Sequence, residues 1–171
     1  MAPGCAWAII TPESTGRSTT DVTAVVHTRS PISATTRVGA LMHPGVITCS
    51  PDCTGLVVAR IMAAHRIHSI VVISPGCAPL KIVTDAEIAR ALYEGTLATS
   101  SAAEIAKSAG ILVRDDTLAY AARCMNEHET THAVVVDSRG LRRAVGVLSV
   151  LDIVEVFTWK QEVLDGAAAA H

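Results

Sequence analysis

Residues 46–73 read VITCSPDCTGLVVARIMAAHRIHSIVVI, and residues 110–136 read GILVRDDTLAYAARCMNEHETTHAVVV. One constant shift aligns the two stretches, placing Met62 on Met125 and Val72 on Val135. A repeat of roughly 60 residues is longer than the units of about 20 to 50 residues from which solenoids are built. The chain is therefore predicted to contain two related lobes and not a repeat array.

Each copy predicts the same order of elements, β-α-β-β-α. The predicted strands are 46–49, 70–73 and 80–84 in the first copy and 110–113, 132–137 and 144–148 in the second, and the predicted helices are 54–65, 85–94, 117–127 and 150–162. The middle strands, IVVI and AVVVD, are continuous β-branched runs that we expect to be covered on both faces. The fold class that follows is α+β, with two small sheets that pack helices and bury apolar surface against each other.

The repeat also predicts the domain boundaries. Lobe 1 is expected over residues 36–95 and lobe 2 over 96–163, with 95–103 as the linker. Residues 1–35 have no counterpart in the repeat, and we expect them to be either partly disordered or packed as one added strand. A β-prone patch lies at 22–27, and the tail 164–171 is predicted to be flexible.

Composition argues against several classes of function. The formal net charge is −2 and aromatic residues make up only 3%, so the chain has no overall basic field and few stacking surfaces for nucleic acid. No apolar run approaches the length of a membrane span. The five cysteines are odd in number and form no CxxC, which predicts reduced thiols and a cytoplasmic location.

Both copies end with a hydroxyl followed three residues later by an acid: Thr84 and Glu87 in the first, Ser149 and Asp152 in the second. With VITCSPD, the helix that contains Met62 and the IVVI strand, this arrangement resembles a tandem cystathionine-β-synthase (CBS) domain pair, or Bateman module. The likeness covers about residues 36–158. It implies pseudo-twofold packing of the lobes, a cleft between them for adenosyl ligands, and homodimers.

The resemblance also implies roles for these four residues. In the family the hydroxyl contacts phosphate, and the acid accepts hydrogen bonds from the ribose diol. A hydroxyl at a strand-to-helix junction lies beside free backbone N–H groups, which suits a phosphate oxygen. The same spacing is that of a capping box, in which both side chains satisfy the first amides of the helix, so both interpretations stay open.

The first and middle strands of each lobe are implied to contact the adenine. The corresponding residues are Ile47, Thr48, Ser69 and Ile70 in lobe 1 and Ile111, Leu112, His132 and Ala133 in lobe 2. Core packing explains the apolar members equally well. The family's glycine stands at Gly146, three residues before Ser149, but Lys81 replaces it before Thr84. The second half-site is therefore the preferred one.

The predicted function is a stand-alone regulatory module. It binds AMP, ADP, ATP or S-adenosylmethionine between the lobes and signals to a partner protein. No GxSxG, Walker A or GxGxxG motif is present, so neither enzymatic activity nor a cofactor is predicted beyond the regulatory ligand, and no compact metal-binding cluster is seen. The alternatives are a ligand-free dimerisation scaffold and, less strongly favoured, an enzyme or redox protein that uses its thiols.

Overall fold

The computed structural model describes residues 5–11, 34–74, 80–137 and 143–155. The predictions for the patch at 22–27, the turn at 138–140 and the tail at 164–171 lie outside these ranges. The strands of the described part are β1 (Trp7–Ile10), β2 (His43–Pro44), β3 (Val46–Cys49), β4 (Ser69–Val72), β5 (Lys81–Thr84), β6 (Lys107–Ser108), β7 (Gly110–Val113), β8 (His132–Val136) and β9 (Ala144–Ser149). The helices are a 3-10 turn (Val38–Ala40), α1 (Gly55–His65), α2 (Asp85–Tyr93), α3 (Ala102–Ile105), α4 (Leu118–Glu127) and α5 (150–155).

The four helices of the repeat begin where local sequence signals predict, whereas α3 begins inside the predicted linker 95–103 and was not expected. Thr54 and Thr117 cap α1 and α4, and each side chain accepts a hydrogen bond from the amide three residues on. Helix α1 ends at Arg66, which takes a left-handed conformation with φ 53°. No helix in the described ranges has the length and apolar character needed to cross a membrane.

Two sheets carry the repeat, with strand orders β1-β3-β4-β5-β6 and β2-β9-β8-β7. In both sheets the first repeated strand runs parallel to the middle strand, which in turn runs antiparallel to the last. Thr48 lies opposite Val71, and Ile111 lies opposite Val134, so the parallel register is the same in both lobes. The predicted pair of β-α-β-β-α lobes and the α+β fold are confirmed.

Alternate residues of the middle strands face different cores. Ile70 and Val72 pack among the helices of lobe 1, whereas Val71 packs in the core between the two sheets. Val135 and Val134 divide in the same way in lobe 2. Both faces of each middle strand are thus buried, as the β-branched runs predict.

The segments that precede the first repeated strands, β3 and β7, are exchanged between the lobes. Val38 and Met42 are buried in the helix-side core of lobe 2, and β2 pairs with β9. Reciprocally, Ala102 and Ile105 of α3 are buried in the core of lobe 1, and β6 pairs with β5. This exchange follows the approximate twofold relation of the lobes and connects them through both backbone pairing and buried side chains.

Strand β1 extends the sheet of lobe 1 beyond the repeat, and a disulfide anchors its start. Trp7 lies opposite Cys49 in the antiparallel pairing of β1 with β3. Cys5 is bonded to Cys53, with their Cα atoms 5.0 Å apart. The prediction of reduced thiols is therefore wrong for this pair, because cysteine count and spacing do not show which distant residues an added strand brings together. Cys49 and Cys124 are free and buried.

Candidate functional site at the junction of the lobes

A cavity of about 470 Å³ opens between the two lobes. Ser149 and Asp152 of lobe 2 lie on one side, and Val46 and Ile47 of β3 in lobe 1 lie on another. The remaining lining comes from β1, β2, β4, β8, β9, α5, the turn after α1 and residues next to these elements. Polar groups that can orient a ligand therefore face apolar walls, a composition typical of small-molecule sites.

The acid of lobe 2 has a protein partner on each oxygen. Asp152 Oδ2 accepts hydrogen bonds from the Ser149 amide at 2.6 Å and from the Ser149 hydroxyl at 2.8 Å, while the Asp152 amide donates back to Ser149 Oγ at 3.2 Å. On the other oxygen, Oδ1 lies 2.9 Å from His43 Nε2. A carboxylate only accepts, so His43 donates from Nε2. Ser149 and Asp152 thus form a capping box at the start of α5, with His43 beside it.

The acid of lobe 1 has corresponding bonds but is more deeply buried. Glu87 accepts from the Thr84 amide at 3.1 Å and from the Thr84 hydroxyl. Its second oxygen lies 3.5 Å from Lys107 Nζ. Thr84 and Glu87 are both buried, and neither lines the cavity.

His43 and Lys107 occupy corresponding positions in the exchanged segments. His43 in β2 lies opposite Val147, and Lys107 in β6 lies opposite Ile82. Each places a nitrogen donor against the acid of the lobe on which its segment packs. Sequence analysis did not identify these two residues, because the exchange that brings them there leaves no local pattern.

The glycine difference between the lobes has a steric explanation. A Cβ at Gly146 would lie 2.6 Å from the carbonyl oxygen of His43, so the absent side chain lets β2 approach β9. In lobe 1 the corresponding Lys81 lies opposite Ser108, and its ammonium donates to the carbonyl of Ala103 at 2.8 Å. Lys81 therefore binds α3.

Five of the predicted site residues line the cavity, namely Ile47, Ser69, His132, Ser149 and Asp152. The other seven do not: Thr84, Glu87, Thr48, Ile70, Ile111, Leu112 and Ala133. Ile70, Leu112 and Ala133 are buried in the lobe cores, and the Thr48 hydroxyl donates to the Ala8 carbonyl at 3.2 Å. The structure therefore combines the hydroxyl and acid of lobe 2 with the first strand of lobe 1, a pairing across lobes that the sequence did not indicate.

The charges around the cavity are mixed. Burial, as the main cause, lowers the pKa of His132, while Asp85 and Asp152 act in the opposite direction. Arg66, at the end of α1, is one of the lining residues, and His68 lies 3.5 Å from Asp85. A carboxylate and a cation on one cavity can hold a diol and an anionic group of the same ligand. Within the described ranges, no group of three or more His, Cys, Asp or Glu side chains is placed to hold a metal ion.

Two lobes of the same order, joined by exchanged segments and each ending in a hydroxyl-x-x-acid motif, define a tandem domain pair. The family model for the CBS domain matches twice, at residues 38–94 and 108–158. The chain belongs to the CBS domain family. A search of curated proteins gives no match.

Several solved structures share this fold. The CBS domain protein PAE2072 from Pyrobaculum aerophilum, complexed with AMP, is 26% identical; the alignment covers 72% of this chain and 99% of that one, with a TM-score of 0.60. The CBS pair of protein MJ0100, in complex with 5'-methylthioadenosine and S-adenosyl-L-methionine, is 24% identical over 71% and 99%, with a TM-score of 0.60. A hexameric CBS-CP12 protein from bloom-forming cyanobacteria is 19% identical over 71% and 68%, with a TM-score of 0.63.

Proposed function

We propose that this CBS pair is a regulatory module that binds an adenosyl ligand, AMP, ADP, ATP or S-adenosylmethionine, in the cavity between its lobes. The cavity itself is the main support, because Asp152 and Ser149 face the apolar residues Val46 and Ile47 across a volume suited to a nucleotide. In this arrangement Asp152 accepts from the ribose hydroxyls, and Arg66 lies on the wall where an anionic group would be attracted.

The comparison with PAE2072 supports the choice of ligand class, since that protein is complexed with AMP. We further propose that the module is not an enzyme, that it acts in the cytoplasm, and that it signals occupancy to a partner protein. The exchanged segments offer a route for such a signal. His43 lies just before β3 of lobe 1 in the sequence, but its side chain is hydrogen-bonded to Asp152 of lobe 2. A ligand bound to Asp152 would therefore change a contact between the lobes.

We also propose a homodimer that uses the last helix of each lobe. Leu92 on α2 and Val154 on α5 are exposed apolar residues, and Leu92 is 66% exposed. Ile88 on α2 packs partly against the core of lobe 1, and Phe157, a further apolar residue that we expect at this interface, lies outside the described residues. Exposed apolar side chains that group together on a surface are typical of an interface.

One observation favours the second candidate, a ligand-free scaffold. Both oxygens of Asp152 already have protein partners, Ser149 and His43, so the motif has a complete structural role without a ligand. A carboxylate has about four lone-pair directions, however, and can accept further hydrogen bonds. The two candidates therefore differ in a measurable property, the affinity for an adenosyl compound.

The test is calorimetric titration with AMP, ADP, ATP and S-adenosylmethionine. If the proposal is correct, at least one compound binds and Asp152→Ala weakens its binding by about tenfold or more, because charge-assisted hydrogen bonds are lost. Glu104→Ala is the matched control, since Ser101 and Glu104 form a capping box away from the cavity. If no compound binds, the scaffold is favoured. If a compound binds and Asp152→Ala retains full affinity, the role assigned to Asp152 is wrong.

A further inference from the structure

Strand β1 makes the two half-sites unequal. Ile9 and Thr11, on and just after β1, line the cavity with Asp152. In lobe 2 the corresponding sheet edge is β7, and no described strand is added to it. One wall of the cavity therefore comes from a strand that is not part of the repeat.

This wall strand is attached by its pairing with β3 and by Ile10, which packs partly against the core between the sheets. Trp7, Ala8 and Ile9 are all exposed, and β1 pairs only with β3, at the edge of the sheet. Trp7 contacts the His65 ring at a centroid distance of 5.5 Å, and the Ala8 carbonyl accepts from Thr48. A four-residue edge strand with mostly exposed side chains belongs to the least stable part of a fold.

The disulfide adds a covalent link between the start of β1 and lobe 1. Cys53 is fully buried in the core of lobe 1, directly before the N-cap Thr54, whereas Cys5 is half-buried and stands two positions before β1. The Ala6 carbonyl accepts from the Ser50 amide at 2.9 Å, so the chain is fixed between the disulfide and the strand.

We propose that the Cys5–Cys53 disulfide is a redox clasp: it fixes β1 as a wall of the cavity, and its reduction releases β1 and weakens ligand binding. The second part of this statement rests on the proposed function. The first part does not, because release of β1 can be observed without a ligand.

The chemistry is thiol–disulfide exchange with a dithiol reductant. Its thiolate attacks the more exposed sulfur, that of Cys5, forming a mixed disulfide while the Cys53 sulfur leaves and takes up a proton. The second thiol of the reductant then displaces Cys5. The protein gains two electrons and two protons, and the reductant becomes a disulfide. In a cytoplasmic protein such a bond is expected to be transient and redox-sensing rather than permanent.

Hydrogen exchange with mass spectrometry on the full chain tests the clasp. We compare the oxidised protein with the same protein treated with dithiothreitol. The protected amides of residues 7–10 are expected to exchange about tenfold faster after reduction, while those of β8 do not change. Cys5→Ser is the matched variant, and it should show fast exchange in β1 with or without reductant. Equal exchange of β1 in the oxidised and reduced protein would overturn the clasp.

AMP titration of the same samples tests the link to the ligand. Oxidised protein is expected to bind AMP about tenfold more tightly than reduced protein or Cys5→Ser, because the wall that Ile9 and Thr11 provide is ordered only in the oxidised form. Unchanged affinity despite a released β1 would overturn the link. If AMP binds in neither state, the proposed function fails, and the exchange rates of β1 still decide the clasp.

Discussion

His43 Nε2 lies 2.9 Å from Asp152 Oδ1, although 109 positions separate the two residues in the chain. Lys107 and Glu87 repeat this relationship in the other lobe at 3.5 Å. In both cases the donor belongs to an exchanged segment and the acid to a capping box at the last helix of the lobe. In each lobe the hydroxyl-x-x-acid motif therefore caps a helix and binds the exchanged segment. In lobe 2 the motif also lines the cavity.

The two donor–acid pairs are expected to differ in their contribution to stability. Glu87 has a side chain only 4% exposed, so Lys107→Met would leave a buried carboxylate without its cation and lower the free energy of unfolding by roughly 1 to 3 kcal/mol. His43 is 77% exposed, and His43→Ala should cost less than about 1 kcal/mol. Urea denaturation at pH 7 measures both.

A double variant provides the control for this comparison. Glu87→Gln removes the buried charge, so adding it to Lys107→Met should recover part of the lost stability. Equal costs for Lys107→Met and His43→Ala, or a further loss in the double variant, would contradict the assigned role of Lys107.

Gly146 is expected to tolerate a side chain poorly. An alanine methyl would lie 2.6 Å from the His43 carbonyl oxygen, so Gly146→Ala must push β2 away from β9. We expect a loss of about 1 to 3 kcal/mol in urea denaturation, as for other overpacked positions. Position 81, which corresponds to it in lobe 1, already holds a Cβ, so Lys81→Ala should lower the free energy of unfolding less than Gly146→Ala. The reverse order would contradict the steric explanation.

The repeated elements could be predicted from sequence because each depends on local patterns. β-Branched runs located β4 and β8, and Thr54 and Thr117 marked the starts of α1 and α4. The constant shift between the two copies also holds for the parallel strand register, in which Thr48 pairs with Val71 and Ile111 with Val134. Periodicity contains this information because it reflects which faces are buried.

The composition of the cavity could not be predicted in the same way. It depends on which lobe each exchanged segment packs against. Val38 and Met42 pack in lobe 2, although they lie just before β3 of lobe 1 in the sequence. Their apolar character shows that they are buried but not where. The disulfide of Cys5 with Cys53 was missed for a similar reason, since it depends on the placement of β1.

The pH dependence of stability should include a contribution from His132. Its pKa is lowered from the ordinary value of 6.5, chiefly by burial. As the pH falls below about 6.5, the unfolded chain takes up a proton at this histidine that the folded protein resists, so the free energy of unfolding decreases. His132→Gln removes this contribution. Urea denaturation at pH 7.5 and 5.5 should therefore show a smaller loss for the variant, and an equal or larger loss would contradict the prediction.

The proposed homodimer can be tested at one exposed side chain. Leu92 lies on α2, away from the cavity, and Leu92→Glu would place a charge in the apolar contact between subunits. We expect the dimer dissociation constant to rise by about tenfold or more, measured by sedimentation. Tyr120→Glu is the control, because it adds the same charge at an exposed position on a different helix, α4. A wild-type monomer at high micromolar concentration, or equal weakening by both variants, would exclude this interface.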